Sequence, residues 1–182
     1  YAMFSGGHDS LVSTHLTSQH PRFSGAVHIN TGIGIKETRE YVRDTCERFG
    51  WPLLEYAHPA NEYEVMVREQ GFPYGEISHR YAYVRLKERL VDKLIAETKV
   101  KRLDRVMLVT GVRRQESKRR MGTIEPIKRD GCTVWVAPIA DMTDDEKGDY
   151  IELNALPRNP VVDHLHMSGE CLCGSYAGRG EL

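Results

Sequence analysis

The apolar positions of this chain switch between a strand-like and a helix-like period, and the switches predict an alternating order of elements. Tyr1 to Phe4 reads as the end of a strand, and Leu11-Val12-Ser13-Thr14-His15-Leu16 begins a helix over 11–19 that Pro21 ends. Gly25 to Asn30 is a buried strand, Thr31-Gly32-Ile33-Gly34 a loop, and 36–49 a helix stopped by Gly50. A third strand over 53–56 is followed by a short helix over 61–70 and a loop with Gly71, Pro73 and Gly75. A long helix is predicted over about 80–98 and a strongly apolar strand over 105–110. A further strand follows over 134–138, then a helix over 144–154 with Thr143 as N-cap and Glu146 completing a capping box. The tail from Pro157 reads as loop. This order predicts the α/β class: an open, mostly parallel twisted sheet with helices on both faces. With no linker or internal repeat, residues 1–182 form one domain whose 157–182 segment is a cysteine-containing tail.

Composition narrows the picture. The 182 residues suffice for one domain with its own core. A formal net charge of −1 gives no global attraction to nucleic acid or membrane. No apolar run reaches the roughly 18 residues of a spanning helix, and no signal-peptide pattern is seen. The chain opens without Met inside a strand, so its natural N-terminus is expected upstream. Four cysteines without a secretory signal indicate a reducing compartment, the cytoplasm, where thiols bind metal or do chemistry.

Candidate chemistry starts at Ser5-Gly6-Gly7-His8-Asp9-Ser10, between the first strand and the first helix. A glycine turn there exposes backbone N–H groups, and the helix N-terminus adds partial positive charge, which together cradle a phosphate. The bland alternative is an ordinary turn with Asp9 or Ser10 as N-cap. The spacing is neither that of the Walker A loop nor that of the dinucleotide fingerprint. It resembles the Ser-Gly-Gly-x-Asp-Ser signature of PP-loop ATP pyrophosphatases.

In open α/β sheets, ligands sit beyond the C-terminal ends of the strands. Asn30-Thr31-Gly32 leaves the second strand and could line an adenosine site. Gly111-Val112-Arg113-Arg114-Gln115-Glu116-Ser117-Lys118-Arg119-Arg120 leaves the most apolar strand and carries five basic residues. Arginine grips phosphate or sulfate bidentately and keeps its charge, so this run is a candidate clamp on a transferred group. The alternatives are a solvated basic turn or a patch on nucleic-acid phosphates.

Taken together, these stretches resemble the phosphoadenosine phosphosulfate (PAPS) reductase family of the PP-loop superfamily, over nearly the whole chain and in the family's order. Besides the loop at 5–10, Asn-Thr-Gly with Lys-Glu-Thr at 30–38 is similar to the family's Asp-Thr-Gly…Pro-Glu-Thr. Gly111 to Arg119 looks like its Gly-x-Arg-x-x-Glu-Ser-x-x-Arg. Pro138-Ile-Ala-Asp141 and Leu156-Pro-Arg-Asn-Pro160 resemble its Pro-Ile-x-Asp-Trp and Pro-x-Asn-Pro elements. The resemblance implies the adenine nucleotide α-hydrolase-like fold. It implies nucleotide contacts from Ser5, Gly6, Gly7, His8, Asp9, Ser10, Asn30, Thr31, Gly32, Gly111 and Ser117, with Arg113, Arg114 and Arg119 on the anionic end.

The departures carry as much weight. The intact first loop looks like the ATP-cleaving members, because reductases of sulfonucleotides usually carry a degraded one. The reductase Glu-Cys-Gly-Leu-His motif is not found within these residues, and Ser78-His79 stands where iron–sulfur members have Cys-Cys. Cys171 and Cys173 form a Cys-x-Cys flanked by glycines, with Cys132 as third ligand and His79, His164 or His166 as fourth. Such a set suits a 4Fe–4S cluster with one open iron, or zinc as a structural clamp; the alternative is a pair of free thiols. Cys46, at apolar spacing on a helix, is expected in the core, and His28 and His58 are expected to be structural or surface residues.

The leading expectation is an enzyme that binds ATP with Mg²⁺ and cleaves it to AMP and pyrophosphate, adenylating an acceptor in sulfur chemistry. Asp9, Arg113, Arg114, Glu116 and Arg119 would carry the catalysis, with Asp9 sharing Mg²⁺ with the phosphates. The alternatives are a reductase producing sulfite from PAPS or adenosine phosphosulfate, and a non-catalytic nucleotide- or nucleic-acid-binding module. Expected partners are an adenine nucleotide and an acceptor, small molecule or nucleic acid, with a homo-oligomer allowed and no membrane.

Overall fold

Among the described residues, six strands form one sheet in the order β3-β2-β1-β4-β6-β5: β1 Ala2–Met3, β2 Ala26–Asn30, β3 Leu53–Ala57, β4 Val106–Val109, β5 Ile127–Asp130 and β6 Thr133–Val136. The computed structural model describes residues 1–99, 101, 103–116 and 124–173, with backbone only at 75–78. All neighbouring pairs are parallel except β5 with β6, which is an antiparallel hairpin. The fold class is therefore as the alternating pattern predicts. Strand β5 was not expected. Its Ile-Lys-Arg-Asp is exposed throughout and carries no alternation, and its pairing is set by the turn, where Gly131 takes a left-handed φ of +55°.

Helix α1 runs His8–Ser18, three residues earlier than periodicity suggests. Gly7, in extended conformation, is its N-cap, so the polar His8-Asp9-Ser10 form the first turn, with Asp9 at the positive end of the helix dipole. Helix α2 (Lys36–Phe49) is as expected, and Gly50 closes it in the left-handed region. After α3 (Glu62–Gln70), the predicted long helix is in three parts. These are α4 (Gly75–Tyr83), a π-helical turn over Val84–Glu88, and α5 (Arg89–Thr98). Helix α6 (Asp144–Leu153) has the expected capping box between Thr143 and Glu146. The tail is not all loop: Pro160–Leu165 is a short helix, α7, capped by Asn159 and started by proline. No helix among the described residues is long and apolar enough to cross a membrane.

Among the described residues, two buried apolar clusters flank the sheet. Phe4, Leu11, Val12, Val42, Cys46, Trp51, Ile139 and Ile151 pack on the α1/α2/α6 face. Val27, Ile29, Leu90, Val91, Leu94, Val106 and Leu108 pack on the α5 face. Each such fully buried side chain contributes about 1.5–3 kcal/mol over leaving it in water. Cys46 is 1 % exposed, the core residue its spacing implied, and burial pushes its thiol up to about 12. The chain steps outward from β1 to β3, then crosses back to set β4 on the other side of β1. The loops after β1 and β4 therefore diverge, which leaves a crevice at the β1–β4 boundary.

Candidate functional site

That crevice is a cleft of about 240 Å³ lined by Met3, Phe4, Ser5, Ser10, Val27, Ile29, Lys87, Gly111, Val112, Glu116 and Glu170. The turn on its β1 side is held by its own serines. Ser10 Oγ donates to the Gly7 carbonyl (2.8 Å), accepts from Ser5 N (3.3 Å) and lies 3.2 Å from Ser5 Oγ. Gly6 takes a φ of +84°, and a Cβ there would lie 2.7 Å from Thr38 Cγ2. Gly111 crosses directly over the start of α1. A Cβ on it would lie 2.6 Å from both Asp9 C and Ser10 N. The first-turn N–H groups of α1 have no intrahelical acceptors, and with Ser5 and Ser10 lining the cleft this helix start is a candidate anion cradle.

Asn159, fully buried, ties the tail to this turn. Its Nδ2 donates to the Gly6 carbonyl (2.8 Å), and its Oδ1 accepts from Val161 N (3.0 Å), capping α7. Its backbone N donates to His8 Nε2 (3.3 Å), which requires the neutral ring; burial and Arg158 lower the His8 pKa accordingly. Asn159→Ala removes a buried donor and a cap together. It is expected to destabilise the domain by about 1–3 kcal/mol in urea unfolding and to weaken anion binding at the turn.

The arginine segment does not end where the sequence suggested. Arg113 is 3 % exposed and faces acceptors on three of its nitrogens. Its Nε pairs with Asp9 Oδ1 at 3.0 Å, its Nη2 with Asp144 Oδ1 at 2.7 Å, and its Nη1 donates to the Met142 carbonyl at 3.0 Å. Burial works against its charge, but Asp9 and Asp144 outweigh burial and raise its pKa. Lys147, from α6, bridges the same carboxylates at 3.1 and 2.8 Å. Arg113 therefore locks α1 to α6 rather than offering its guanidinium to a ligand. Arg114 turns to Asp141 (2.6 Å), an exposed pair worth little by itself. Glu116 does line the cleft, and Ser117 and Arg119 lie outside the described residues.

The β2 loop also differs from expectation. Asn30 Nδ2 donates to Glu55 (2.9 Å) and its Oδ1 accepts from Gly32 N (3.0 Å). Thr31 Oγ1 donates to the Glu170 carbonyl (2.8 Å), while Gly32 is exposed with open space around it. Two residues without a motif take their place in the cleft. Lys87, from the π-helical turn, holds Glu170 Oε2 at 2.5 Å, and Glu170 is 5 % exposed. Burial opposes the charge on Lys87, and the Glu170 carboxylate reverses that and raises its pKa. Neither residue was legible, because they are 83 positions apart in the chain.

The proposed metal set does not converge. Cys171 and Cys173 pack beside each other with Met66, Ala82 and Leu86, and a hydrogen bond with Cys173 together with burial raises the Cys171 pKa. Cys132 sits in the β5–β6 turn, where its carbonyl accepts from Val106 N at the N-terminal end of β4. An antiparallel hairpin must return there, so Cys132 lies at the opposite end of the sheet from Cys171. His79 lies against Tyr83 on α4 (centroids 6.3 Å apart). Among the described residues, no group of three or more His, Cys, Asp or Glu side chains is arranged to hold a metal ion.

A glycine turn at the switch point of an open, mostly parallel sheet is the arrangement of a doubly wound α/β domain, in which ligands sit at such a crevice. Residues 1–168 match the phosphoadenosine phosphosulfate reductase domain, and the chain belongs to that family. It is 28% identical over 169 residues to a phosphoadenosine 5'-phosphosulfate reductase of Xanthomonas campestris pv. campestris, covering 90% of this chain and 66% of that protein. It is 27% identical over 174 residues to an adenosine 5'-phosphosulfate reductase of Halalkalibacterium halodurans, covering 92% of this chain and 70% of that one. The chain thus spans about two thirds of the length of these relatives. The crystal structure of a PAPS reductase from Candida auris, a phosphate complex, superposes with a TM-score of 0.66 at 18% identity, covering 90% of this chain and 76% of that one.

Proposed function

We propose that this chain is the nucleotide-binding domain of a sulfonucleotide reductase. It takes adenosine 5'-phosphosulfate or its 3'-phosphorylated form in the β1–β4 cleft. In the reaction, two thiols are oxidised to a disulfide, sulfur is reduced to sulfite, and the adenylate leaves. The N-terminus of α1 would hold the 5'-phosphate and stabilise the charge that develops on it as the sulfo group departs.

Kinship with reductases of both sulfonucleotides supports this reading. The observation that favours it over ATP cleavage is the state of Asp9. Its Oδ1 lies between Arg113 and Lys147, at 3.0 and 3.1 Å, so the loop's carboxylate is already neutralised by two cations. Such a carboxylate does not fit the role of Mg²⁺ ligand expected for a pyrophosphate site. A sulfonucleotide needs no metal bridging between phosphates. The intact Ser5–Ser10 turn keeps adenylation of an acceptor by ATP as the second reading.

Calorimetric titration of the purified protein with adenosine 5'-phosphosulfate, its 3'-phosphorylated form and ATP separates the two. Sulfonucleotide binding unchanged by EDTA is expected, with ATP weak and no pyrophosphate released. Tight ATP binding that needs Mg²⁺, with pyrophosphate release, would reverse the assignment.

A further inference from the structure

The buried Glu170 has one carboxylate oxygen that no described residue hydrogen-bonds. Its Oε2 is held by Lys87, while Oε1 is buried with no hydrogen-bond partner among the described residues, and the residue lines the β1–β4 cleft. An unpaired buried acceptor costs free energy unless a ligand satisfies it. Its position says which part of a ligand that is. In doubly wound nucleotide-binding folds, a carboxylate at the C-terminal end of β2 accepts from a ribose hydroxyl while the phosphates sit on the β1 turn.

Here β2 ends in Asn30, and the next side chain, Thr31, donates its hydroxyl to the Glu170 backbone carbonyl at 2.8 Å. A Cβ on Gly34 would run into that same backbone. The tail segment is fixed on either side as well, by Thr38 Oγ1 to the Ser168 carbonyl (2.5 Å), Ile35 N to the Gly169 carbonyl (2.8 Å) and Tyr63 Oη to the Cys173 carbonyl (3.0 Å). The carboxylate thus arrives at the end of β2 from a segment more than a hundred residues later in sequence, and it is rigidly held.

We propose that Glu170 is the ribose-hydroxyl acceptor of this cleft and a specificity-determining residue. It favours nucleotides with free ribose hydroxyls and disfavours a 3'-phosphate. This rests on the reading of the cleft as a sulfonucleotide site and narrows it to adenosine 5'-phosphosulfate. Lys87 holds the carboxylate in place and does not offset a further dianion, because its charge is already matched by Glu170.

The test uses non-reacting probes on the whole chain: calorimetry with AMP, 2'-deoxy-AMP, 3'-deoxy-AMP and adenosine 3',5'-bisphosphate. One of the two deoxy analogues, and the bisphosphate, are expected to bind roughly tenfold or more weakly than AMP, the worth of a hydrogen bond to a charged group. Glu170→Gln should bring the bisphosphate and AMP to within a few fold of each other. Lys87→Met, which leaves the carboxylate but not its anchor, should weaken AMP while keeping the bisphosphate disfavoured. Circular dichroism of both variants checks that they fold. If wild-type protein binds both deoxy analogues and the bisphosphate as tightly as AMP, the role of Glu170 is wrong while the nucleotide site stands. If it binds no adenosine nucleotide, the functional reading fails as well.

Discussion

Arg113→Ala is expected to destabilise the domain by about 3–5 kcal/mol, the penalty for removing one partner of a buried ion pair. The mutation takes three donors away at once. Asp9 loses a partner at 3.0 Å, Asp144 one at 2.7 Å, and the Met142 carbonyl its donor at 3.0 Å. Lys147 remains to share between the two carboxylates, which places the result toward the lower end of that range. For a chain of this length the loss corresponds to a drop in melting temperature on the order of 10 °C. Arg113→Lys should recover little, because a single ammonium cannot reproduce a guanidinium fork that faces three acceptors. The sequence-derived role, a clamp on the ligand's anionic end, predicts the opposite pattern of lost affinity with unchanged melting. Differential scanning calorimetry and nucleotide titration on the same two variants decide between them.

Several of the family motifs hold one another in the fold. Asn159 of the Pro-x-Asn-Pro element grips the Gly6 carbonyl of the phosphate turn, and Arg114 of the arginine segment grips Asp141 of the Pro-Ile-x-Asp element. Thr38, from the Lys-Glu-Thr stretch, binds the Ser168 carbonyl of the tail. Of these links, Asn159 to Gly6 reaches the turn directly, while the Arg114–Asp141 pair is exposed and weak.

The turn itself was legible because its requirements are local: two glycines, two serines and an aspartate between an apolar run and a helix. The parallel sheet was legible for the same reason, through the alternation of short apolar runs with helical ones. Roles that depend on distant partners were not. Asp9 reads as a metal ligand until Lys147 and Arg113 are brought against it, and Arg113 reads as a ligand clamp until Asp144 is. Cys132 reads as a companion of Cys171 until the β5–β6 hairpin carries it to the other end of the sheet. Strand β5 has one apolar residue among four and is defined by the backbone pairing of Ile127 with Val136 through Asp130 with Thr133. Lys87 and Glu170 belong to no motif, and only the fold makes them neighbours.

Gly111→Ala is expected to cost about 2–3 kcal/mol and to abolish nucleotide binding, although it adds one methyl group. The new Cβ would lie 2.6 Å from Asp9 C and Ser10 N and 2.7 Å from the Asp9 carbonyl oxygen. These are backbone atoms of the first turn of α1, which cannot rotate away as a side chain can, so the β4 loop or the helix must move. Either movement displaces the anion cradle, because the two segments are its walls. Gly148, within α6 and with open space around it, provides the control. Alanine there should leave binding intact and stabilise the helix by roughly 0.5–1 kcal/mol. Calorimetry with AMP and urea unfolding of both variants would measure the contrast. A Gly111→Ala protein that unfolds like wild type and binds AMP as well would show that the two loops do not meet as described.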